Sequence, residues 1–244
     1  MAHVDRKEIE NFAKDSAHWW DDKGPFAPLH RLNPMRLAYI RAQIDAHYGL
    51  DGKSLKPFTG LSILDAGCGG GLVCEPMARL GGDVTGVDAD SNAIEVARAH
   101  ATQSGLTIDY RDGTTFDLLG DKKRFDVVLA LEIAEHVPDL STFVQSCVDL
   151  CKPGGLIIFS TLNRTPKSFA LGIVAAEYIL RWVPRGTHDW KKFIKPSELA
   201  RALSQAGATP GAMTGLVYDP LATKSFRLSA SDLSVNYFMS AARA

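Results

Sequence analysis

The chain has 244 residues, 45% hydrophobic and 23% charged, with a formal net charge of −1. This length and apolar content suit one globular domain, which at this size buries roughly 70–75% of its chain surface and needs no disulfide staples. A near-neutral balance, with no Lys/Arg run to track phosphates, argues against a dedicated nucleic-acid binder. The four cysteines, Cys68, Cys74, Cys147 and Cys151, form no Cys-x-x-Cys pair and suit free thiols in a reducing compartment. The first residues, Met-Ala-His-Val-Asp-Arg-Lys-Glu, lack the apolar core of a signal peptide. No stretch approaches the ~18–20 apolar residues of a spanning helix. The expectation is a soluble or peripheral protein of a bacterial cytoplasm.

Residues 5–20 carry helical periodicity through Ile9, Phe12, Ala13 and Trp20. Pro25, Pro28 and Pro34 then predict a loop, and a second helix is expected from Met35 to Tyr48, with Leu37, Ile40 and Ile44 on one face. Gly49 and Gly52 end it. From residue 61, strands are predicted at 61–65, 83–87, 107–110, 125–131 and 155–160, with helices at 72–80, 91–104 and 139–151. Asp90 and Ser91 offer N-cap oxygens to the second of these helices. The alternation predicts a doubly wound parallel sheet with helices on both faces. An amphipathic stretch covers 166–184, a helix runs from Lys195 to about Gln205, and strands near 212–218 and 234–240 form a closing hairpin. One domain over 1–244 thus divides into a helical cap (1–52), a core (61–160), an apolar insertion (165–190) and a closing helix and hairpin (195–244).

The strongest local signal is Leu61-Ser-Ile-Leu-Asp-Ala-Gly-Cys-Gly-Gly-Gly71, a buried strand running into an acid and a glycine loop before a helix. Such a unit brings backbone close to a ligand and aims free helix N–H groups at it. Asp88 ends the next strand, where a carboxylate suits a ribose diol. A dinucleotide fingerprint would need glycine at position 72, which is Leu72. Instead Asp65 precedes Gly67, Gly69 and Gly71. An acid there repels a pyrophosphate and suits S-adenosylmethionine, with its sulfonium, ammonium and adenosine. The Asp-x-Gly-x-Gly-x-Gly loop resembles motif I of the class I methyltransferases. Their usual architecture is a Rossmann-like α/β fold with seven strands, mostly parallel, and an antiparallel last strand.

After the fourth strand comes Leu131-Glu132-Ile133-Ala134-Glu135-His136, at the sheet edge where open α/β folds bind ligands. On a helical turn Glu132, Glu135 and His136 would share one side and could hold Mg²⁺ or Mn²⁺. The alternative is a capping Glu, a solvated Glu and a loop His. Arg36 is either a solvated charge or a fork for the methionine carboxylate. His30 and His188 read as hydrogen-bonded loop residues. Trp19-Trp20 read as packing for the first helix, or as an aromatic lid. The stretch 168–183, flanked by Lys167, Arg181, Arg185, Lys191, Lys192 and Lys195, is either a buried helix or a helix lying on anionic lipid.

Several further segments resemble the ubiquinone-biosynthesis O-methyltransferases, which act on polyprenylated hydroxyphenols. They are Phe12 with Trp19-Trp20-Asp21, Pro28 to Arg36, Glu132 to Pro138, Ser160 to Arg164, Ala176 to Leu180, Gly186 to Asp189, Lys192 to Pro196, and Val235-Asn236-Tyr237. The resemblance implies that Arg36, Gly67, Asp88 and Leu131 contact S-adenosylmethionine. It implies a Mg²⁺ site of Glu132, Glu135 and His136. It also implies that the 166–190 insertion meets the inner membrane face and a polyprenyl tail, and that partners include other enzymes of the pathway. Asp112 is the candidate adenine contact, and His136 the candidate base if the metal is not the activator. Two other readings stay open: a non-catalytic cofactor- or lipid-binding subunit, and a methyltransferase for a soluble small molecule.

Overall fold

The computed structural model describes residues 13–170, 189–219 and 225–244. A single eight-stranded sheet runs through them, in the order β3-β2-β1-β4-β5-β8-β6-β7. The strands are β1 (Ser62–Ala66), β2 (Asp83–Asp88), β3 (Asp109–Asp112), β4 (Phe125–Leu131), β5 (Cys151–Leu162), β6 (Ala208–Asp219), β7 (Ser225–Ser229) and β8 (Asn236–Arg243). Strands β1 to β5 pair in parallel. Strand β8 lies antiparallel between β5 and β6, and β7 pairs antiparallel outside β6. The expected closing hairpin is therefore a three-stranded unit, and the sheet has eight strands rather than seven. The overlooked strand, Ser-Phe-Arg-Leu-Ser, alternates polar and apolar over only five residues. Its Phe226 and Leu228 are half-buried against the core, as suits an edge strand.

The main chain-order correction is at the N-terminal side. Helix α1 spans Ala27–Tyr48, across the region read as a proline loop. Pro28 falls in the first turn, where no N–H is needed. Pro34 lies inside the helix and removes one internal hydrogen bond. Burial of Leu32, Tyr39, Ile40 and Ile44 along one face offsets that loss, because fully burying each such side chain contributes roughly 1.5–3 kcal/mol. Gly49, at φ 61, ends the helix and donates its N–H to Asp45 O. Of the helix expected over 5–20, residues 1–12 lie outside the described residues, Ala13 is helical, and a short 3₁₀ turn follows at Ser16–His18.

The longer helices that follow are α2 (Cys74–Arg79), α3 (Ser91–Gln103), α4 (Thr115–Leu119), α5 (Leu140–Leu150) and α6 (Pro196–Gln205), with a single helical turn at Pro166–Ser168. Asp90 caps α3 by accepting from Asn92 N–H, as its position predicted. The short α4 was not foreseen; Thr114 and Asp117 close it with a reciprocal capping box.

Both faces of the sheet are buried. Leu64, Val128 and Ile157 face a core with Phe143, Val144, Leu199 and Leu203. Their chain neighbours Ile63, Val127 and Ile158 face the other core, with Ile40, Ile44, Met77 and Ile94. Successive strand residues point to opposite faces, so a strand covered on both sides reads as an unbroken apolar run. All four cysteines are free and buried. Among the described residues no helix is long and apolar enough to cross a membrane.

Gly86 lies within β2, where an added Cβ would stand 2.8 Å from the Tyr110 ring and 2.9 Å from the sulfurs of Cys68 and Cys74. Gly86→Ala is expected to destabilise the fold by about 1–3 kcal/mol through overpacking. Urea unfolding followed by circular dichroism checks this; an unshifted midpoint would mean that the neighbours yield freely.

Candidate active site

The carboxyl ends of β1, β2, β4 and β5 gather the expected site residues. Asp65 closes β1, and the chain then turns through Gly67 (φ 75), Gly69 (φ 51) and Gly71 (φ 87). These are left-handed conformations that favour glycine. What crowds the loop is the protein itself. A Cβ at Gly67 would stand 2.7 Å from Ile133, one at Gly69 or Gly70 would overlap the Trp19 ring, and one at Gly71 would overlap the Tyr110 hydroxyl.

The two tryptophans strap the N-terminal segment across this loop. Trp19 stacks on Phe26 at 3.9 Å between centroids, and Trp20 stacks on His100 at 3.5 Å. Trp20 Nε1 donates to Gly70 O at 3.0 Å. Ser16 Oγ donates to Asp90, and His30 Nε2 donates to Trp19 O at 2.8 Å. His30 is thus a hydrogen-bonded anchor, although it sits on α1 rather than in a loop. His188 lies outside the described residues.

Asp88 ends β2. Its Oδ2 accepts from Gly69 N–H at 2.8 Å and its Oδ1 from Asp90 N–H at 2.9 Å. Burial raises its pKa against these hydrogen bonds. Asp112 is paired with it across the ends of β2 and β3, and Gly113 N–H donates to Asp88 O at 2.9 Å. Asp65 is buried and accepts from Cys74 Sγ at 3.3 Å. Burial, with a smaller contribution from Asp88, pushes its carboxyl up to about 6, while Cys74 and Arg36 oppose the rise.

Arg36 projects from α1 and is only 5% exposed. Its Nε and Nη2 are buried and meet no hydrogen-bond partner. Burial lowers its pKa, and the charges of Glu132, Asp65 and Glu135 act in the opposite sense. A buried donor left unmet costs about 1–3 kcal/mol, and more when charged. Such a fork suits an anionic ligand group.

The segment after β4 departs from its expected geometry. Leu131 is buried at the strand end. Glu132 takes φ 53, a left-handed conformation at a non-glycine residue. Only Ala134–His136 forms a turn, and it is 3₁₀. The i, i+3, i+4 spacing therefore does not place the three side chains on one helical face. Glu132 accepts from Ser160 Oγ at 2.6 Å and from Asn236 Nδ2 at 3.0 and 2.9 Å. Glu135 is buried and accepts from Thr161 Oγ1 at 2.6 Å. Burial, then the charge of Glu132, push Glu135 up to about 7, with His136 and Thr161 opposing. Among the described residues no three His, Cys, Asp or Glu side chains gather as a metal ligand set. The three are electrostatic neighbours, each carboxylate turned to a partner of its own.

Ser160, Thr161 and Asn236 are site residues that residue-by-residue reading did not single out. The first two are polar residues ending an otherwise apolar strand, which is a signal. Asn236 reaches the site only because β8 pairs Asn236 with Leu162 at the same sheet edge.

Residues 64–159 match the model of a methyltransferase domain family. A ubiquinone biosynthesis O-methyltransferase of Dinoroseobacter shibae is 53% identical over 240 residues, which cover 98% of this chain and 96% of that protein. The chain belongs to the ubiquinone biosynthesis O-methyltransferase family. A second member, from Chelativorans sp., is 50% identical over 97% of this chain and 92% of its own. A solved magnesium protoporphyrin IX methyltransferase of Synechocystis PCC 6803, with bound SAH, has the same fold at a TM-score of 0.65 and 17% identity, over 98% of each chain. Family membership makes the protein an S-adenosylmethionine-dependent O-methyltransferase.

Asp65, with its carboxyl near 6, is expected to give cofactor binding a pH dependence. Between pH 5 and pH 8 it ionises, and its charge then favours the sulfonium and ammonium of the cofactor. Calorimetry should show affinity rising several-fold over this range, with most of the rise gone in Asp65→Asn. The stability of the free protein should run the other way. A carboxyl raised above its unfolded value near 3.9 contributes stability that is complete below about pH 4 and lost as pH rises through about 6.

Proposed function

We propose that the protein methylates a hydroxyl of polyprenylated catechol or hydroquinone intermediates in ubiquinone biosynthesis. The observation that carries this reading is buried Arg36, with Nε and Nη2 unmet and the charge of Asp65 acting on it, in a chain half-identical to that family. Arg36 is the counterpart for the methionine carboxylate, and Asp88 for the ribose diol. Gly67, Gly69 and Leu131 lie at the same sheet edge and contact the cofactor in this reading. Holding the methyl carbon in line between the departing sulfur and the attacking oxygen is then the main catalytic task.

The acceptor must lose its phenolic proton. His136 is the base in this reading. Glu135, close enough for their charges to interact, favours the imidazolium that results. Magnesium assistance finds support in the donor types: two carboxylates and an imidazole suit a hard divalent cation. Repulsion between Glu132 and Glu135 would fall if a cation lay between them. Both would first have to leave their present hydrogen bonds to Ser160, Asn236 and Thr161. Such a cation would lower the pKa of the acceptor hydroxyl.

The polyprenyl tail and an anionic membrane surface at the inner face are assigned to the 165–190 insertion. Most of that insertion, including Ile173, Tyr178, Ile179 and Trp182, lies outside the described residues. At its near end Phe169 is 47% exposed beside Lys167.

Labelled methyl should pass from S-adenosylmethionine to a short-chain catechol analogue. EDTA should abolish transfer and Mg²⁺ restore it; full activity in EDTA would leave His136 acting without a metal. Asp88→Ala should weaken cofactor binding at least tenfold with the circular dichroism spectrum unchanged, since hydrogen bonds to a charged group contribute roughly 1.5–3 kcal/mol each. Sedimentation with anionic liposomes should be lost on deleting 168–183 and should weaken with salt in the intact protein. Failure of the intact protein to sediment at low salt would remove the membrane assignment.

A further inference from the structure

Glu132 is held in an unfavourable backbone conformation by side chains from two other strands. Its φ of 53 is the only positive value at a non-glycine residue among the described residues. Its carboxylate accepts from Ser160 Oγ on β5 and, at both oxygens, from Asn236 Nδ2 on β8. Asn236 is itself only 8% exposed, and its Oδ1 is buried without a partner. The amide orientation follows from chemistry: the reverse placement would set Oδ1 against two carboxylate oxygens, which are acceptors only. One contact therefore combines a left-handed glutamate with an unmet amide oxygen. Local strain and unmet polar groups of this kind collect at functional sites and persist where surrounding structure over-determines them.

We infer that Asn236 is a positioning residue for methyl transfer, fixing the carboxylate of Glu132 near Arg36 and Glu135 at the carboxyl edge of the parallel strands. The inference rests on the methyl-transfer reading above. It also explains what the reversed strand contributes. Only an antiparallel β8 begins at the sheet edge where β4 and β5 end, so only its first residue can reach Glu132 from that side. Asn236 touches neither cofactor nor acceptor in this role; it acts through Glu132. The distinguishing substitution is Asn236→Asp, which keeps size and shape, removes the donor and sets like charges face to face.

In Asn236→Asp, kcat with the catechol analogue should fall at least thirtyfold, while the cofactor Kd from calorimetry stays within threefold. Unfolding by urea should show a lowered midpoint. The exchanged pair Glu132→Gln with Asn236→Asp restores a donor opposite an acceptor and should recover at least half of that midpoint loss. Asn236→Ala should also lower kcat, and by less in a Glu132→Gln background than in the unaltered one. Equal losses in both backgrounds, a kcat within threefold in Asn236→Asp, or no recovery in the exchanged pair would each overturn the inference. If the unaltered protein transfers no methyl, the acceptor reading fails and this inference with it. Transfer by the unaltered protein and by Asn236→Asp alike would overturn the inference alone.

Discussion

The buried guanidinium of Arg36, with two donor atoms unmet and the charges of Asp65, Glu132 and Glu135 acting on it, constrains everything built around it. A lone buried arginine would be prohibitive, and three nearby carboxylates offset its charge without saturating its hydrogen bonds. Those carboxylates arrive from the ends of β1 and β4 and from the turn beyond. The arginine arrives from α1, which must therefore stay helical across Pro34. The apolar face of α1 supplies that persistence, through Ile40 and Ile44 in the core beneath the sheet. Packing on one face of the sheet is thus what sets a buried charged group among the carboxylates at its edge.

Two acids with raised pKa values lie close to that arginine, and their causes differ in a useful way. Asp65 rises chiefly because it is buried, with the charge of Asp88 adding a smaller part. Glu135 rises through burial and then through Glu132, so its ionisation depends on whatever happens to its neighbour. Moving Glu132 would change the charge state of Glu135, and Glu132 is held by Asn236 and Ser160. Glu135 is in this way coupled to β8 through Glu132, whereas Asp65 and Asp88 belong to β1 and β2.

Much of the core was legible because both-face burial leaves a strong trace: apolar runs at 61–66 and 125–131, punctuated by glycine and acid. Asp65, Asp88 and the glycine loop stand out by spacing alone, and the structure gathers them at one sheet edge. The N-terminal helix did not follow. Pro28 and Pro34 signal a break in any local reading, and only tertiary burial of α1 overrides them. The Glu132 turn was misjudged for a related reason. Helical spacing assumes helical backbone, and φ 53 at its first residue removes the assumption. Asn236 was beyond local reading altogether, since its partner is 104 positions away and the contact exists only through the sheet order.

The glycine loop carries a second requirement beside close approach of a ligand. Glycines there were expected because a ligand approaches the backbone. The left-handed φ values at Gly67, Gly69 and Gly71 account for much of the requirement. Ile133, Trp19 and Tyr110 fill the space a side chain would take. Replacing any of these glycines would disturb the strap, the β4 turn or the β3 packing before it touched a cofactor. Loss of binding in a glycine variant would then say little about contact. Asp88 is a cleaner probe, but not an isolated one, because it also fastens Gly69 N–H. Asp88→Asn removes the charge but keeps an acceptor for only one of the two N–H groups, those of Gly69 and Asp90, that the carboxylate fastens. A loss of affinity in it would therefore combine loop anchoring with charge-assisted recognition of a ribose diol, and circular dichroism and urea unfolding of the same variant are needed to separate the two.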